Sequence, residues 1–252
     1  MSNVNRMITE LLRLRRGLGF SFTSRYLLAV LLNLPEVMRT RSLGMVDHKW
    51  EHSSSTLKVK TQGKHFLVAP DALPLVRELM LKNCYFFDMS KKYGTVVDLG
   101  ANRGIFSVMA ARVSDRVISV ECDTESMPFK FAETMKINEI KNTFFVNKII
   151  SDSSSGNRVS LNSILADLNI KEISFLKIDI EGAEEVLLGR NLEWLNLTRE
   201  ISLEVHPCFG VDEQTLLAVL KTRGFKVSLY DKDLGLTQKL ERNGMGYIRA
   251  SR

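Results

Sequence analysis

The sequence is poor in cysteine and lacks a long apolar run. Its three cysteines, Cys84, Cys122 and Cys208, are far apart and show no metal-ligand spacing, so neither a disulfide framework nor a zinc site is expected. The best apolar stretch, Tyr26 to Leu34, is less than half of the roughly 20 residues that a membrane-spanning helix needs. These absences predict a globular, cytoplasmic protein in a reducing compartment, without a membrane span.

Excess positive charge is confined to the start of the chain. Of the formal net charge of +6, residues 1–50 carry +5, from eight basic and three acidic side chains. Within residues 4–18, apolar side chains fall at helical spacing with arginines on the other side, which predicts a basic amphipathic helix. The apolar set is Val4, Ile8, Leu11, Leu12 and Leu18, and the arginines are Arg6, Arg13 and Arg16.

Two roles are open for this N-terminal stretch. One is peripheral docking of residues 1–35 on an anionic membrane surface. The other is an ordinary helix packed on the domain with a solvated basic face. Because no aromatic-rich basic sheet or helix-turn-helix pattern accompanies the charge, nucleic acid is not an expected partner. The sequence leaves the oligomeric state open.

From residue 94 onward, strand-like apolar runs alternate with helix-like stretches. Strands joined by helices pair in parallel, because a parallel connection needs a crossover of about a dozen residues. The predicted fold class is therefore α/β, a three-layer Rossmann-like sheet with helices on both faces. The polar segment from Tyr230 to Asn243 predicts a hairpin-like return to one antiparallel edge. The predicted helices cover residues 103–113, 124–138, 159–168, 183–195 and 212–223.

Residues 50–93 form a short lead-in to this alternation. A hairpin is predicted around Gln62 and Gly63, followed by a helix from about Asp71 to Leu81. The chain is thus divided into an N-terminal helical extension, residues 1–50, and a domain over residues 51–252 whose core is about 94–252. His48 and His52, four apart in "HKWEH", have no third ligand in sight and are interpreted as solvated surface.

The first motif of the core is a break in an apolar run, "VVDLGANRG". Gly100 directly follows a strand and Gly104 opens the next helix, which predicts a turn against which a ligand lies at the carboxyl end of the sheet. The dinucleotide fingerprint G-x-G-x-x-G needs a central glycine near the pyrophosphate, and Asn102 occupies that place. The bound molecule is therefore expected to lack a pyrophosphate. A tight turn without any ligand is the alternative.

Two acids narrow the choice of ligand. Asp98, at the strand end, is placed to accept hydrogen bonds from an ammonium group or from the N–H groups of the turn. Glu121 ends the second strand, where a carboxylate can accept hydrogen bonds from both hydroxyls of a ribose. A molecule with a ribose, a cationic amino-acid end and no phosphate satisfies both. We therefore predict S-adenosylmethionine as cofactor, held by Asp98, Glu121, Gly100, Asn102 and Gly104.

Four stretches between Gly94 and Pro207 resemble the FkbM family of S-adenosylmethionine-dependent methyltransferases. They are "VVDLGANRGIFSVMAA", "VISVECD", "ISFLKIDIEGAEEVLLG" and "ISLEVHP", of which "LKIDIEGAE" is the most specific. The resemblance implies a seven-strand class I methyltransferase sheet whose last strand is antiparallel. It also implies methylation of hydroxyl oxygens, frequently on sugars of glycans, lipopolysaccharides or natural products.

A second group of polar residues follows the next two strands. Asp179 ends the strand of "KIDIEGAEE", and Glu204 and His206 end the strand of "EISLEVHP". Carboxyl ends of parallel strands meet at one rim, so these three side chains are expected to converge there. Glu184 and Glu185 enter the first turn of a helix, where the macrodipole accounts for acids. A turn-holding role for Asp179 and a purely structural role for His206 are the alternatives.

Methyl transfer to a hydroxyl needs alignment of the reactants and a base that removes the proton. Asp179 is the first choice as base and His206 the second, with Glu204 as a further catalytic group that orients the acceptor. Glu181 is assigned to acceptor binding, together with Lys177, which alternation places on the same side of the strand as Asp179. A divalent cation is a further option, because two carboxylates and an imidazole are an adequate ligand set.

The predicted activity is O-methylation of a sugar hydroxyl in a glycan, a glycolipid or a glycosylated small molecule. A nicotinamide-dependent oxidoreductase on a similar sheet is one alternative, and Asn102 in place of the central glycine argues against it. A non-catalytic binding or membrane-docking module is the other. The intact acids Asp98, Glu121 and Asp179 argue against a module without chemistry.

Overall fold

The computed structural model describes residues 3–40, 43–51, 56–122, 126–242 and 244–252. Two compact units make up the chain, Met1–Asn83 with Lys136–Glu139, and Cys84–Met135 with Ile140–Arg252. The first unit includes the hairpin lead-in, so the boundary between the units follows residue 83, whereas the sequence analysis places it at residue 50. The predicted surface pair His48 and His52 lies outside the described side chains, as do Val4 and Arg6 of the predicted amphipathic helix.

The first unit begins with three helices, α1 (Asn3–Leu32), α2 (Leu34–Thr40) and α3 (Gly44–Glu51). Gly19, with φ of 84° and ψ of 174°, lies outside helical geometry and divides α1 into two segments, a conformation that glycine adopts without steric cost. An apolar cluster holds the helices together, and its buried members are Leu14, Phe22, Tyr26, Val30, Val37, Val46 and Leu73.

The amphipathic helix predicted over residues 4–18 is helical, and its buried side is shifted from the predicted apolar face, of which Leu11 and Leu18 are partly buried against the apolar cluster. Leu14 is fully buried, whereas Ile8 and Leu12 each expose 49% of their surface. The tertiary partners of α1 decide this orientation. In the second segment of α1, the Tyr26 hydroxyl donates to Asp47 Oδ1 at 2.6 Å and fixes α1 to α3.

The hairpin predicted around Gln62 and Gly63 is present, formed by β1 (Leu57–Thr61) and β2 (Lys64–Val68). Both turn residues have positive φ, 44° and 78°, as a two-residue hairpin turn requires. The helix predicted over 71–81 is helical but irregular. It consists of a 3₁₀ turn (Pro70–Ala72), a short α4 (Leu73–Leu75) and a wider π-helical segment (Val76–Lys82).

The second unit is built on an eight-stranded sheet in the order β11-β10-β12-β9-β8-β3-β4-β5. All neighbours from β9 to β5 pair in parallel, and β12 is antiparallel to both β9 and β10. The predicted mostly parallel sheet with an antiparallel last strand is therefore confirmed. The strands of this unit are β3 (Tyr93–Leu99), β4 (Ser114–Glu121), β5 (Thr143–Asn147), β6 (Ile149–Ser151), β7 (Arg158–Ser160), β8 (Ile173–Ile178), β9 (Thr198–Val205), β10 (Lys226–Asp231), β11 (Leu236–Thr237) and β12 (Gly246–Ser251).

Within the described residues the sheet has eight strands, one short strand more than the predicted seven. The hairpin-like return after Tyr230 adds the two-residue β11, which pairs antiparallel with β10. Strands β6 and β7 form a separate parallel pair. The central strand β3 is buried along nearly its whole length, as expected of a parallel strand covered on both faces.

Helices of the second unit lie in the predicted connections, with one clear exception. The helix predicted over residues 183–195 is wrong, because two four-residue helices stand there, separated by a segment in which Asn191 has a φ of 54°. A left-handed residue ends helical geometry. The helices are α5 (Ile105–Ala111), α6 (Met127–Ile137), α7 (Leu161–Asp167), α8 (Glu184–Leu187), α9 (Glu193–Asn196) and α10 (Glu213–Thr222).

Candidate active site

The carboxyl ends of four neighbouring strands, β4, β3, β8 and β9, form the candidate active site. Glu121 ends β4, the glycine turn follows β3, Asp179 follows β8 and His206 follows β9. Since adjacent strands lie about 4.8 Å apart, this row of residues extends over roughly 15 Å. Both groups of polar residues predicted from the sequence thus lie along one edge, where ligands of parallel sheets bind.

Gly100 is required by the protein's own backbone. Its φ is 76°, and a Cβ atom there would lie 1.7 Å from the carbonyl oxygen of Asp179. The same strand end is tied to the turn by the Asp179 N–H, which donates to the Leu99 carbonyl at 3.0 Å. The end of the neighbouring strand occupies the space on the Cβ side of Gly100, which explains the glycine without a bound molecule, and the predicted contact of this turn with the cofactor stays a prediction.

Gly104 has a similar explanation. Its φ is 83°, and a Cβ atom would come within 2.7 Å of both the Met135 methyl and the Phe131 ring. Both glycines therefore permit close packing inside the unit. Between them, Asn102 is exposed and adopts a left-handed φ of 49°.

The Glu121 carboxylate accepts hydrogen bonds from two backbone N–H groups. Its Oε2 accepts from Asn102 N and its Oε1 from Cys122 N, both at 2.7 Å. These bonds hold the carboxylate in one orientation at the strand end, where it is half-buried. A carboxylate has about four lone-pair sites, so hydroxyl donors of a ribose can bind in addition. The predicted cofactor-binding role of Glu121 agrees with this geometry and stays a prediction.

Asp98 and Lys177 form a buried ion pair beneath the turn. Asp98 is fully buried, and its Oδ1 lies 3.1 Å from Lys177 Nζ while its Oδ2 accepts from Ser107 Oγ at 2.6 Å. Lys177 Nζ also donates to the Gly100 carbonyl at 2.6 Å. Burial opposes the charged ammonium, but Asp98 and Asp179 outweigh it and raise the pKa of Lys177.

The ion pair corrects two predicted roles. Asp98 was assigned to the ammonium end of the cofactor, and Lys177 to the acceptor, yet neither side chain is exposed beyond 3%. A charge this deeply buried needs a partner of opposite sign inside the protein. Asp98 and Lys177 therefore hold the strand ends and the turn together, and the exposed polar groups of the site lie further out.

Tyr85 joins the carboxylates of two strands. The hydroxyl of this buried side chain lies 2.6 Å from Glu204 Oε2 and 2.9 Å from Asp179 Oδ2. Burial, together with these two carboxylates, raises the pKa of Tyr85 well above its usual value, so the phenol stays a hydrogen-bond donor. Asp179 and Glu204 are thus held side by side, with Asp179 the more exposed of the two.

His206 is backed by a buried carboxylate. Its Nδ1 lies 2.8 Å from Oε1 of Glu184, whose side chain is fully buried, and its Nε2 faces Asp179 Oδ1 at 3.9 Å and Glu204 Oε1 at 3.7 Å. Burial disfavours the imidazolium, but the hydrogen bond to Glu184 and the surrounding carboxylates outweigh it. The pKa of His206 is therefore raised above 6.5. The explanation of Glu184 by the helix macrodipole is corrected, since this acid orients the imidazole.

Replacing Glu184 by glutamine is expected to lower the pKa of His206, because the amide keeps a hydrogen-bonding oxygen and removes the charge. If neutral His206 is the base, the acid limb of the pH profile of kcat moves to lower pH in Glu184→Gln. The His206–Glu184 pair stabilises the folded state fully below the pKa of histidine in the unfolded chain, about 6.5, and this stabilisation is lost as pH rises through the higher pKa of His206 in the folded state. The stability difference between Glu184→Gln and the wild type is therefore largest at acidic pH.

The measurement is kcat from pH 5 to 9 together with the melting temperature at each pH. Glu185→Gln is the matched control, since Glu185 accepts from the Asp212 N–H and contacts no imidazole that the structure describes. A profile for Glu184→Gln that overlays the wild type would contradict the assignment.

Asp179, Glu204 and His206 could also hold a divalent cation. One ligand atom from each of these described side chains lies within 4.8 Å of the other two. The Tyr85 hydroxyl lies within hydrogen-bond distance of both carboxylates, and a cation would compete with its single proton. Dialysis against a chelator followed by an activity assay tests this predicted metal.

Glu181, assigned to acceptor binding, is exposed in a turn with a φ of 47°.

Sequence reasoning did not identify Tyr85, and it assigned Glu184 another role. Tyr85 is separated from Asp179 by 94 residues and from Glu204 by 119, and it follows no predicted strand. Glu184 stands 22 residues before His206, on a different element. Only the tertiary arrangement brings these pairs together, and no local pattern marks them.

One family model matches the chain, the Methyltransferase FkbM domain, over residues 157–227. This segment contains Asp179, Glu184, Glu204 and His206. It does not include the glycine turn at residues 100–104, which precedes it in the chain. No curated protein sequence matches the chain. The predicted FkbM resemblance is therefore confirmed over residues 157–227.

Among solved structures, the chain is similar to a precorrin-6y C5,15-methyltransferase from Geobacter metallireducens, with 16% identity over 64% of this chain and 82% of the other, and a TM-score of 0.43. An rRNA methylase from Streptococcus thermophilus shows 11% identity over 64% and 89%, with a TM-score of 0.43. TYW2 from M. jannaschii in complex with AdoMet shows 11% identity over 79% and 86%, with a TM-score of 0.44. At TM-scores below 0.5, no conclusion about function follows from these likenesses.

Proposed function

We propose that the chain is an S-adenosylmethionine-dependent methyltransferase whose acceptor is a sugar hydroxyl, on the premise that residues 157–227 match an FkbM methyltransferase domain. The observation that carries the proposal is the His206–Glu184 pair beside the half-buried carboxylate of Asp179. The imidazole of His206 can take a proton from a weakly acidic hydroxyl, and the carboxylate of Asp179 can accept hydrogen bonds from hydroxyls next to it. The acceptor is a glycan, a glycolipid or a glycosylated small molecule.

Part of the predicted cofactor site fits S-adenosylmethionine. Glu121 is fixed by Asn102 N and Cys122 N and keeps acceptor capacity for two ribose hydroxyls. Asp98 does not fit, because its carboxylate is enclosed with Lys177. The cofactor, when bound, supplies an electrophilic methyl group on a sulfonium. Glu121 and the exposed Asn102 are the groups of this chain that would hold its ribose.

His206 is proposed as the base in place of Asp179. Asp179 Oδ2 already accepts from Tyr85 and lies 3.4 Å from Lys177 Nζ, whereas Nε2 of His206 lies 3.9 Å from Asp179 Oδ1 and 3.7 Å from Glu204 Oε1, beyond hydrogen-bond distance of both. The acceptor hydroxyl would give its proton to His206 Nε2 as its oxygen takes the methyl group, with the methyl–sulfur bond of the sulfonium breaking to leave a neutral thioether, and Glu184 would stabilise the resulting imidazolium across Nδ1. In other enzymes, too, the general base is oriented by a hydrogen bond to a third group, as Glu184 orients His206 here.

The surroundings of the base suit an acceptor with several hydroxyls. Asp179 and the exposed Glu181 present carboxylate oxygens, which accept hydrogen bonds and donate none. Each can bind a hydroxyl next to the one that is methylated. A polyhydroxylated sugar supplies such neighbouring donors.

Glu121→Ala is expected to weaken binding of S-adenosylmethionine with little change in saturated turnover. Hydrogen bonds to charged groups are worth about 1.5–3 kcal/mol, so the Kd should rise roughly 10- to 100-fold. Isothermal titration calorimetry measures the effect. Glu139→Ala, at an exposed acid outside the site, is the control. An unchanged Kd for Glu121→Ala would remove this carboxylate from the cofactor site.

The proposed acceptor is tested by incubating the protein with methyl-labelled S-adenosylmethionine and separate carbohydrate, glycolipid, protein and RNA fractions of the host cell. Label in a carbohydrate-containing fraction, with a mass gain of one methylene on a sugar, supports the proposal. His206→Asn is the control for enzyme-dependent transfer. Label confined to protein or RNA would overturn the sugar assignment while leaving the methyltransferase class intact.

A further inference from the structure

The second segment of α1 is apolar on two sides. Phe22, Tyr26 and Val30, four residues apart, are buried in the apolar cluster of the first unit. The opposite side, which is polar in an ordinary surface helix, carries further large apolar side chains. Its exposed members are Phe20 (70% exposed), Leu27 (37%), Leu28 (57%), Leu31 (55%) and Leu32 (72%). We call these five residues the outer apolar face.

The outer apolar face is contiguous over its four leucines. Leu27, Leu28, Leu31 and Leu32 each have another of these leucines one, three or four residues away and therefore adjoin on two successive turns, and Phe20 lies seven residues before Leu27 on the same side of the helix. Met38, in α2, is exposed to a similar degree (70%). Single exposed leucines are common on proteins, but a contiguous patch of this kind marks a site of interaction.

Cationic and indole groups border the outer apolar face. An open cavity of about 260 Å³ is lined by Leu28 and Leu32 of the face, by Ala29, and by Arg25, Lys49 and Trp50. The Arg25 guanidinium lies 5.8 Å from the centre of the Trp50 ring. Within the described part of the chain, the buried Trp50 Nε1 has no hydrogen-bond acceptor.

We propose that the outer apolar face docks the protein peripherally on an anionic phospholipid bilayer. Leucines insert at the boundary of the acyl chains, while Arg25 and Lys49 face lipid phosphates and Trp50 lies at headgroup level. The net charge of +5 on residues 1–50 matches an anionic surface. A second copy of this chain is the less suitable occupant, because a two-fold contact would place one basic patch against another.

The helical arrangement fits surface attachment. No single helix in the described residues is long and apolar enough to cross a bilayer. Helices Met7–Leu32 and Leu34–Thr40 meet the length and composition limits only as a pair, bent by 80°. An amphipathic segment that lies in the interface needs no such length.

Co-sedimentation of the full chain with extruded vesicles tests the proposal. We expect binding to phosphatidylglycerol–phosphatidylcholine vesicles, little binding to pure phosphatidylcholine, and weakening by salt. The triple variant Leu28→Ser, Leu31→Ser, Leu32→Ser should bind at least about tenfold more weakly. Phe129→Ser with Leu236→Ser, at two side chains that are each 74% exposed elsewhere, is the matched apolar control and should bind like the wild type.

Charge reversal provides the second arm. Arg25→Glu with Lys49→Glu should weaken binding to the anionic vesicles about tenfold or more, whereas Arg223→Glu with Lys226→Glu, an exposed basic pair in the second unit, should have a small effect. Equal binding by wild type and triple variant would overturn the proposal. The proposal would also be overturned if the wild type bound no vesicles and formed a dimer that the triple variant did not form. In that case the outer apolar face would pack against a second copy of the chain. Neither readout depends on methyl transfer, so the proposed function can fail separately.

Discussion

His206→Asn is expected to lower kcat by about 10²- to 10⁴-fold, the usual contribution of a general base. The asparagine side chain can place an amide near the position of Nδ1 and so keep a partner for the buried Glu184, while the proton acceptor at Nε2 is lost. Binding of S-adenosylmethionine should change little, since Glu121 follows a different strand. Steady-state kinetics at saturating cofactor and acceptor measure the effect.

Two comparisons make the result specific to the base. His65→Asn, at an exposed histidine of the hairpin, should leave kcat unchanged. Asp179→Asn separates the two base candidates, because it keeps an oxygen that can accept from Tyr85. If Asp179→Asn abolishes turnover while His206→Asn retains most of it, Asp179 is the base and the proposed assignment is wrong.

Lys177→Met is expected to destabilise the second unit by about 3–5 kcal/mol, the usual cost of leaving a buried charge without its partner. Asp98 is fully buried and would keep its carboxylate beside Ser107 alone. The Gly100 carbonyl would also lose its donor. At about 2–4 °C per kcal/mol for a domain of this size, the melting temperature should fall by roughly 6–20 °C.

Lys91→Met is the matched control for this loss. Lys91 also pairs with a carboxylate, Glu200, at 3.1 Å, but its side chain is 46% exposed. Surface pairs of this kind contribute about 0–1 kcal/mol, so this variant should melt close to the wild type. The double variant Asp98→Asn, Lys177→Met should recover part of the lost stability. Equal melting temperatures for Lys177→Met and Lys91→Met would contradict a structural role for the buried pair.

The sheet could be predicted because its signals are local. Strand β3 contains the apolar residues Val96, Val97 and Leu99 at its carboxyl half, and the helical segments between strands force parallel pairing. The break in the segment 183–195 was harder to predict, because helix-forming residues surround its two local signals, Gly189 and Asn191. The left-handed backbone at Asn191 interrupts the helix, and asparagine tolerates that geometry without requiring it.

The candidate site was predicted to the level of strand ends and no further. Alternation along β8 and β9 placed Asp179, Glu204 and His206 at one edge, and the structure places them there. Alternation also suggested that Lys177 reaches the acceptor, whereas its ammonium is drawn inward by Asp98. Which way a long side chain turns depends on its buried partners, and those partners lie on other elements.

Asn138 has a consequence for how this protein can be divided. This buried residue of the first unit stands in the 136–139 segment, far along the chain from the rest of that unit. Its amide bonds to both the N–H and the carbonyl of Leu67. A shortened chain that starts at residue 84 would lack Leu67. The amide oxygen and the amide N–H of Asn138 would then lose these two hydrogen-bond partners. Grafting the N-terminal portion onto a relative, or cutting it away, therefore has to include residues 136–139 in the exchange.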